Sequence, residues 1–471
     1  MPFQLTSMTR IENPAHRAAL AAAFALFSSL CSPLAFAADD ILLTAGAPSS
    51  AAPSEAETPA PEQWALHGQL TNIAQGHGTF NAPYSGPNSL SSRSPEQETT
   101  DITLFAGLRL WRGAELWVNP EIDQGFGFGN TLGMAGFPNG GAYKVGADKP
   151  YLRIPRAFMR QTIALGGGDE KVEAAANQLA GSRSADNLTL TLGKFAVPDI
   201  FDTNSYAHDP RADFLNWTAI DGGAFDYAAD SWGYTYGAAA EWTRSWWTLR
   251  AGFFQLSGTP NGKVAGVRFN QNSAVVEGEA RYHWLGHPGK IKLLAFEDHG
   301  AMGSYQDALQ LAQQSGSTPD VSQVRKVATK AGMVINLEQE LTTDLGVFAR
   351  YSQDDGSKEA YEFTDVNRSI SAGLSLKGER WRRDQDTVGL ALVANRISGA
   401  AQAYFAAGGL GVLVGDGQLN YAPEQILELY YALHPCAHIT VTFDYQHATN
   451  PAYNQDRGPV SIFGLRTHAE F

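Results

Sequence analysis

The chain of 471 residues is poor in charge: Asp, Glu, Lys and Arg together make up only 17% of it. With aromatics at 11%, this excludes a wholly disordered chain, which needs more charge and fewer rings. Two cysteines are too few for a disulfide scaffold. A basic excess is also missing. Lys and Arg number 34 against 48 Asp and Glu, a net charge of −14, which argues against a nucleic-acid partner. Membrane helices need apolar runs of about 20 residues, and the chain has only one short run, Ala18 to Leu30, at its N-terminus. What it holds in quantity is glycine, at 48 residues, with hydrophobics at 44%. A Gly-rich, aromatic-rich, low-charge chain suggests β-structure whose residues alternate between two environments.

The N-terminus reads as an address. Arg10 and Arg17 precede the apolar run, and Ala35-Phe36-Ala37 follows it as a small-x-small cleavage pattern, so residues 1–37 read as a secretory signal peptide. Leu30 before Cys31 does not fit a lipoprotein signal, which wants a small residue there. Residues 38–62, rich in Ala, Pro, Ser and Glu, read as a flexible periplasmic lead. Past the signal peptide one cysteine remains, Cys436.

From residue 63 to 471 the hydrophobic period is two, the mark of a strand with two different faces. In 101–111, Ile102, Leu104, Ala106 and Leu108 face one way and Thr103, Gly107 and Arg109 the other. Sixteen such segments are predicted: 65–75, 101–111, 114–124, 153–164, 186–195, 231–242, 246–257, 273–284, 290–299, 328–340, 343–353, 368–379, 386–397, 424–434, 437–447 and 460–471. Eighteen is the alternative count. Eleven tilted residues rise about 26 Å, enough to cross a bilayer's apolar layer. Connections alternate short and long, as in an outer-membrane barrel with short periplasmic turns and long extracellular loops. The exception is 165–185, a long connection on the short side, with helix-forming Glu170, Lys171, Glu173 and Ala174 to Ala176; it reads as a periplasmic insertion. Lipid offers no hydrogen-bond partners, so the sheet must close and the last strand must pair with the first. The expected fold is all-β: a transmembrane antiparallel barrel of about 16 strands.

Several stretches resemble the carbohydrate-selective porin family of OprB type. The most specific is Lys194-Phe195-Ala196-Val197-Pro198-Asp199-Ile200-Phe201-Asp202, continuing through Asp213-Phe214-Leu215-Asn216-Trp217 to Trp232-Gly233-Tyr234. Leu116-Trp117-Val118-Asn119-Pro120-Glu121 and Asn450-Pro451-Ala452-Tyr453-Asn454 are similar to family sequence as well. The resemblance covers about 65 to 471. It implies a passive bacterial outer-membrane channel that admits mono- and small oligosaccharides. The terminal Phe471 resembles the signal read by the barrel-assembly machinery, after Sec-type export. The expected partners are outer-membrane lipid, lipopolysaccharide and small sugars, the barrel acting as a monomer or a trimer.

Residues 196–230 form the longest and most acidic connection. They are expected to fold inward as a constriction loop, placing Asp199, Asp202, Asp213 and Trp217 at the eyelet, where planar polar groups match sugar hydroxyls and rings match sugar C–H faces. An Arg or Lys facing mid-bilayer lipid costs about 2–4 kcal/mol, so strand charges are assigned inward: Arg109, Glu121, Asp123, Arg156, Arg160, Arg250, Glu279, Arg281, Arg350 and Glu428. Of these, Arg109, Arg160, Arg250 and Arg350 are the expected constriction bases, each donating from a planar fork. His434, Cys436 and His438 have no evident fourth ligand and read as a turn, so no metal is expected. No cofactor is expected, since solute runs down its own gradient. No nucleophile with a base beside it identifies an enzyme. The competing readings are a porin for other small polar solutes such as organic acids, and a barrel enzyme with its site at the rim.

Overall fold

The computed structural model describes residues 61–93, 97–142 and 146–471. The signal peptide and nearly all of the lead lie outside them. Sixteen strands form one closed antiparallel barrel in which each strand pairs with its neighbours in sequence and the last pairs with the first. They are β1 (Trp64–His77), β2 (Gln97–Trp111), β3 (Ala114–Gly125), β4 (Ala147–Val172), β5 (Gly181–Phe195), β6 (Thr235–Arg244), β7 (Trp247–Gln255) and β8 (Asn272–Trp284). There follow β9 (His287–Met302), β10 (Lys326–Thr342), β11 (Leu345–Asp354), β12 (Arg368–Gly378), β13 (Arg383–Arg396), β14 (Glu424–Cys436), β15 (Ile439–Thr449) and β16 (Val460–Glu470). All sixteen predicted segments are found. Among the described residues no helix is long and apolar enough to cross a membrane.

The alternation fixes which face meets lipid. On the outer face Leu192, Leu293, Ile370, Leu392 and Phe443 are more than half exposed. Their neighbours Thr191, Lys292, Ser369, Ser371, Ala391, Val393 and Asp444 are buried inside. Exposed leucines beside buried acids invert the soluble pattern and fit a barrel solvated by lipid outside. Closure runs through β1 and β16, from Gln69 opposite Glu470 to His77 opposite Ile462. The terminal residue extends it: Gly68 and Phe471 exchange backbone hydrogen bonds of 2.8 and 3.0 Å, and the Phe471 ring lies where a side chain on residue 68 would stand. A side chain at 68 would have to displace that ring.

Two departures from strict alternation matter. In β4, the pairing with β3 slips by one residue between Asn119 opposite Arg156 and Glu121 opposite Arg153. Pro155 sits at this bulge, having no N–H to give to the ladder. The slip turns both Arg153 and Arg156 inward. The second departure is residues 165–185. Their helix-forming side chains are overridden: β4 and β5 continue past the barrel as a hairpin whose tip is residues 173–180.

The core of the molecule lies inside the barrel. Residues 196–234, between β5 and β6, fold into the lumen and carry one short helix, α1 (Trp217–Ile220), capped where Asn216 accepts from the Thr218 N–H at 3.1 Å. Phe214 of this loop meets Tyr430 edge-on at 4.9 Å and Phe348 at 5.5 Å, while Phe201 meets Phe254 at 5.9 Å. Two longer helices lie in outer loops. Ser304 and Ser398 cap α2 (Tyr305–Ser315) and α3 (Gly399–Ala406), and a left-handed Gly316 ends α2.

Candidate functional site

Inward acids and bases on the wall chiefly hold loops. Glu277 accepts the Asp202 N–H (2.8 Å), Glu338 the Ser205 N–H (2.7 Å), and Glu428 the Leu215 and Asn216 N–H groups (2.5 and 3.0 Å). Glu424 accepts Ala135 and Gly136 from the β3–β4 loop. Cations take the loop carbonyls. Arg350 donates to Ala219 (2.9 Å), Ala207 (2.7 Å) and Asp202 (3.1 Å), and Arg466 donates to Pro210, Ala212 and Asp213. A buried loop carries main-chain groups that must find partners. The wall's charged side chains are those partners, which is why this loop lies inside the barrel instead of over it.

The space left open runs to one side, along β4 to β8. On the periplasmic side is a chamber of about 740 Å³, with Arg160, Thr191, Glu241 and Arg250 in its wall. On the outer side is a smaller cavity of about 170 Å³, lined by Arg156, Arg211, Trp217, Asp221 and Tyr234 among others. Asp199 and His208 line both, so the two cavities approach each other at these residues. There Arg156 grips Asp199 with two hydrogen bonds, 2.8 Å from Nε and 2.6 Å from Nη2. Two guanidinium groups lie over the Tyr234 ring, that of Arg156 at 4.9 Å and that of Arg153 at 5.0 Å from its centre. Arg153 in turn bonds to Asp123 and, at 2.6 Å, to Glu121. Across the cavity Trp217 stacks on Phe137 at 5.1 Å and leans on Phe363 at 4.8 Å. Paired charges and a packed aromatic cluster thus border the same cavity.

The expected site residues therefore divide. Arg156, Arg160, Asp199, Trp217, Arg250 and Arg281 border the two cavities. Arg250 is spent on its own wall, 2.7 Å from Glu277 and 3.0 Å from both Glu241 and Glu279; Glu279 also takes Arg281 at 2.6 Å. Glu121 and Asp123 are partners of Arg153. Two expected eyelet groups, Asp202 and Asp213, and one expected pore-lining acid, Glu428, hold the scaffold instead. Asp202 accepts from Gly222 and Asn336, Asp213 from the His208 and Asp209 N–H groups, and Glu428 from the loop backbone. Arg350 is corrected from bore to clamp: its side chain is 1% exposed. Arg109 sits at the periplasmic margin, donating to the carbonyls of Glu62 (2.7 Å) and Ala180 (3.1 Å). Arg153 and Tyr234 were missed. A proline in mid-strand, Pro155, was the available signal that the alternation would slip beside Arg153.

A closed lipid-facing barrel of sixteen strands, with one loop folded into its bore and two cavities left beside it, defines a porin. The relatives agree. Residues 88–471 match the carbohydrate-selective porin, OprB family, and the chain belongs to that family. It is an outer-membrane porin that passes sugars (the activity is that of a channel). Among solved structures it is similar to OprB of Pseudomonas putida, at 15% identity and a TM-score of 0.66 over 87% of this chain and 94% of that one. The outer-membrane channel DcaP of Acinetobacter baumannii covers 87% of this chain and 97% of its own, at 11% identity and a TM-score of 0.48. Among curated proteins none matches the chain.

Proposed function

We propose that mono- and small oligosaccharides diffuse along the eccentric path and that the neck at Asp199, Arg156 and His208 sets the selectivity. The observation that carries this is that the outer and inner cavities share Asp199 and His208. A sugar leaving water must exchange its hydroxyls' hydrogen bonds for others of equal quality, because an unmet polar group costs about 1–3 kcal/mol. The Arg156–Asp199 fork offers donors and acceptors together, and it is locally neutral, so it favours no ion strongly. Trp217 and Tyr234 border the outer cavity beside the fork and add apolar ring surface to its wall. Arg160 follows on the inner side, its Nη1 directed to the Asn177 carbonyl at 2.8 Å.

Swelling of liposomes holding the purified barrel tests the reading. Glucose and maltose are expected to enter faster than amino acids of equal size. Arg156→Ala and Asp199→Ala are each expected to reduce that preference. Equal entry of sugars and amino acids would sink sugar selectivity at the neck. A preference unchanged in both variants would move the filter elsewhere.

A further inference from the structure

The β4–β5 hairpin has a geometry that a plain periplasmic turn does not need. The partner strands stop short of it. On the β3 side the last ladder bond is Thr162 N–H to the Gly113 carbonyl at 2.7 Å. On the β6 side pairing ends at Asn187 opposite Thr243. Beyond these points the two arms pair with each other alone, as far as Val172 opposite Gly181. An arm projecting straight on would leave the mouth of the barrel open.

It does not project straight. Gly166, Gly167 and Gly168 take φ values of 104°, 85° and 89°, a region where side chains are strained. The register slips twice here, between Ala164 and Gly166 and again between Gly166 and Asp169. A bulge of this kind bends a strand. The bend brings the tip under the bore. Arg160, on the lumen side of β4, reaches the Asn177 carbonyl, and Glu170, Ala175, Ala176 and Gln178 line the inner chamber with wall residues such as Thr189 and Thr243.

The bent hairpin is also fastened at its far side. The Ala180 N–H donates to the Glu62 carboxylate at 2.7 Å, and the Glu62 N–H donates to the Ala180 carbonyl at 3.1 Å. Arg109 ties both together through the Glu62 and Ala180 carbonyls. Glu62 lies in the chain just before β1, so the strap is made by the approach to the first strand.

We infer that residues 166–180 form a floor under the inner chamber and act as a second, size-determining filter for saccharides after the neck. This rests on the reading that sugars pass the neck. Recognition by the floor is steric. A monosaccharide turns within the chamber and leaves beside the hairpin, whereas a chain of several sugar units reaches the floor while its rear is still in the neck.

The test replaces residues 166–185 by Asn-Gly, which suits a two-residue hairpin turn, in the full mature chain. Liposome swelling is read for glucose and for a linear glucose tetrasaccharide. The tetrasaccharide-to-glucose ratio is expected to rise severalfold, with single-channel conductance rising too. A second variant, Glu62→Ala with Arg109→Ala, keeps the hairpin and removes the side-chain bonds of its strap, leaving only the Glu62 N–H to Ala180 carbonyl bond. It is expected to move the ratio in the same direction by a smaller amount, and it decides the matter if the shortened chain does not assemble. An unchanged ratio in assembled, glucose-conducting variants overturns the floor. That result differs from failure of the neck reading, in which the unaltered protein itself shows no preference for sugar over amino acid.

Discussion

Replacing Arg350 with alanine tests whether wall charges serve the bore or the loop. Its guanidinium donates to three loop carbonyls and lies 3.2 Å from the Asp202 carboxylate, both side chains being 1% exposed. Truncation leaves Asp202 without that cation and Ala207 and Ala219 without those donors. Breaking a buried pair by removing one partner costs about 3–5 kcal/mol. The loop has other holds, at Glu277, Glu338, Glu428 and Arg466, so it stays in the barrel. A loss of about 3 kcal/mol raises the population of loop excursions about a hundredfold. In planar bilayers this is read as current noise in the open channel, together with a lower thermal transition in detergent. Arg350→Lys is expected to fall between, since an ammonium meets Asp202 without the fork that reaches the carbonyls. The reasoning is refuted if Arg350→Ala leaves noise and transition unchanged. It is equally refuted if mean conductance shifts as for a bore residue while noise does not move.

At the neck, Asp199→Asn is expected to shift the reversal potential in a salt gradient toward anion preference and Arg156→Ala toward cation preference, as each leaves one charge of the fork unopposed; shifts of one sign in both variants would refute the pairing. Asp344, in the turn between β10 and β11, accepts from Arg380 and Thr342, and these hold its carboxyl down to about 2 from 3.8. A depressed carboxyl stabilises the fold above its ordinary value and loses that contribution as pH falls through its folded value. Asp344→Asn should therefore lower the thermal midpoint at neutral pH and match the unaltered protein below about pH 2. Gly68→Val should lower the fraction of heat-modifiable, assembled barrel on electrophoresis, because the added side chain meets the Phe471 ring; normal assembly would show that the ring is free to move aside.

The barrel was legible because alternation is local: a residue's neighbours two places away share its face, whatever the rest of the chain does. That suffices to place sixteen strands and the loop that lies within them. The roles inside were less legible, because they depend on partners far away in sequence. Glu428 and Asp202 look alike as inward or loop acids, yet one caps the Leu215 backbone and the other receives Arg350. Arg109 shares the parity of bore residues, but its height along the strand places it against Glu62 and Ala180. Periodicity gives a face and not a depth. It also fails where the ladder slips, as at Pro155, and Arg153 was lost for that reason. In 165–185, helix propensity was real but weak, and the pairing of the two flanking strands overrode it.

The dispersal of the holds on residues 196–234 governs the order in which the molecule is built. They sit on β8, β10, β11, β14 and β16, and the Arg466 contacts to Pro210 and Asp213 join residues more than 250 positions apart. The segment is made before most of its receptors exist. Its last hold, from Arg466, is in place only when the final strand has been laid down. The full set of holds therefore exists only in the closed barrel, and the narrowing of the bore is complete no earlier than the closing of its seam.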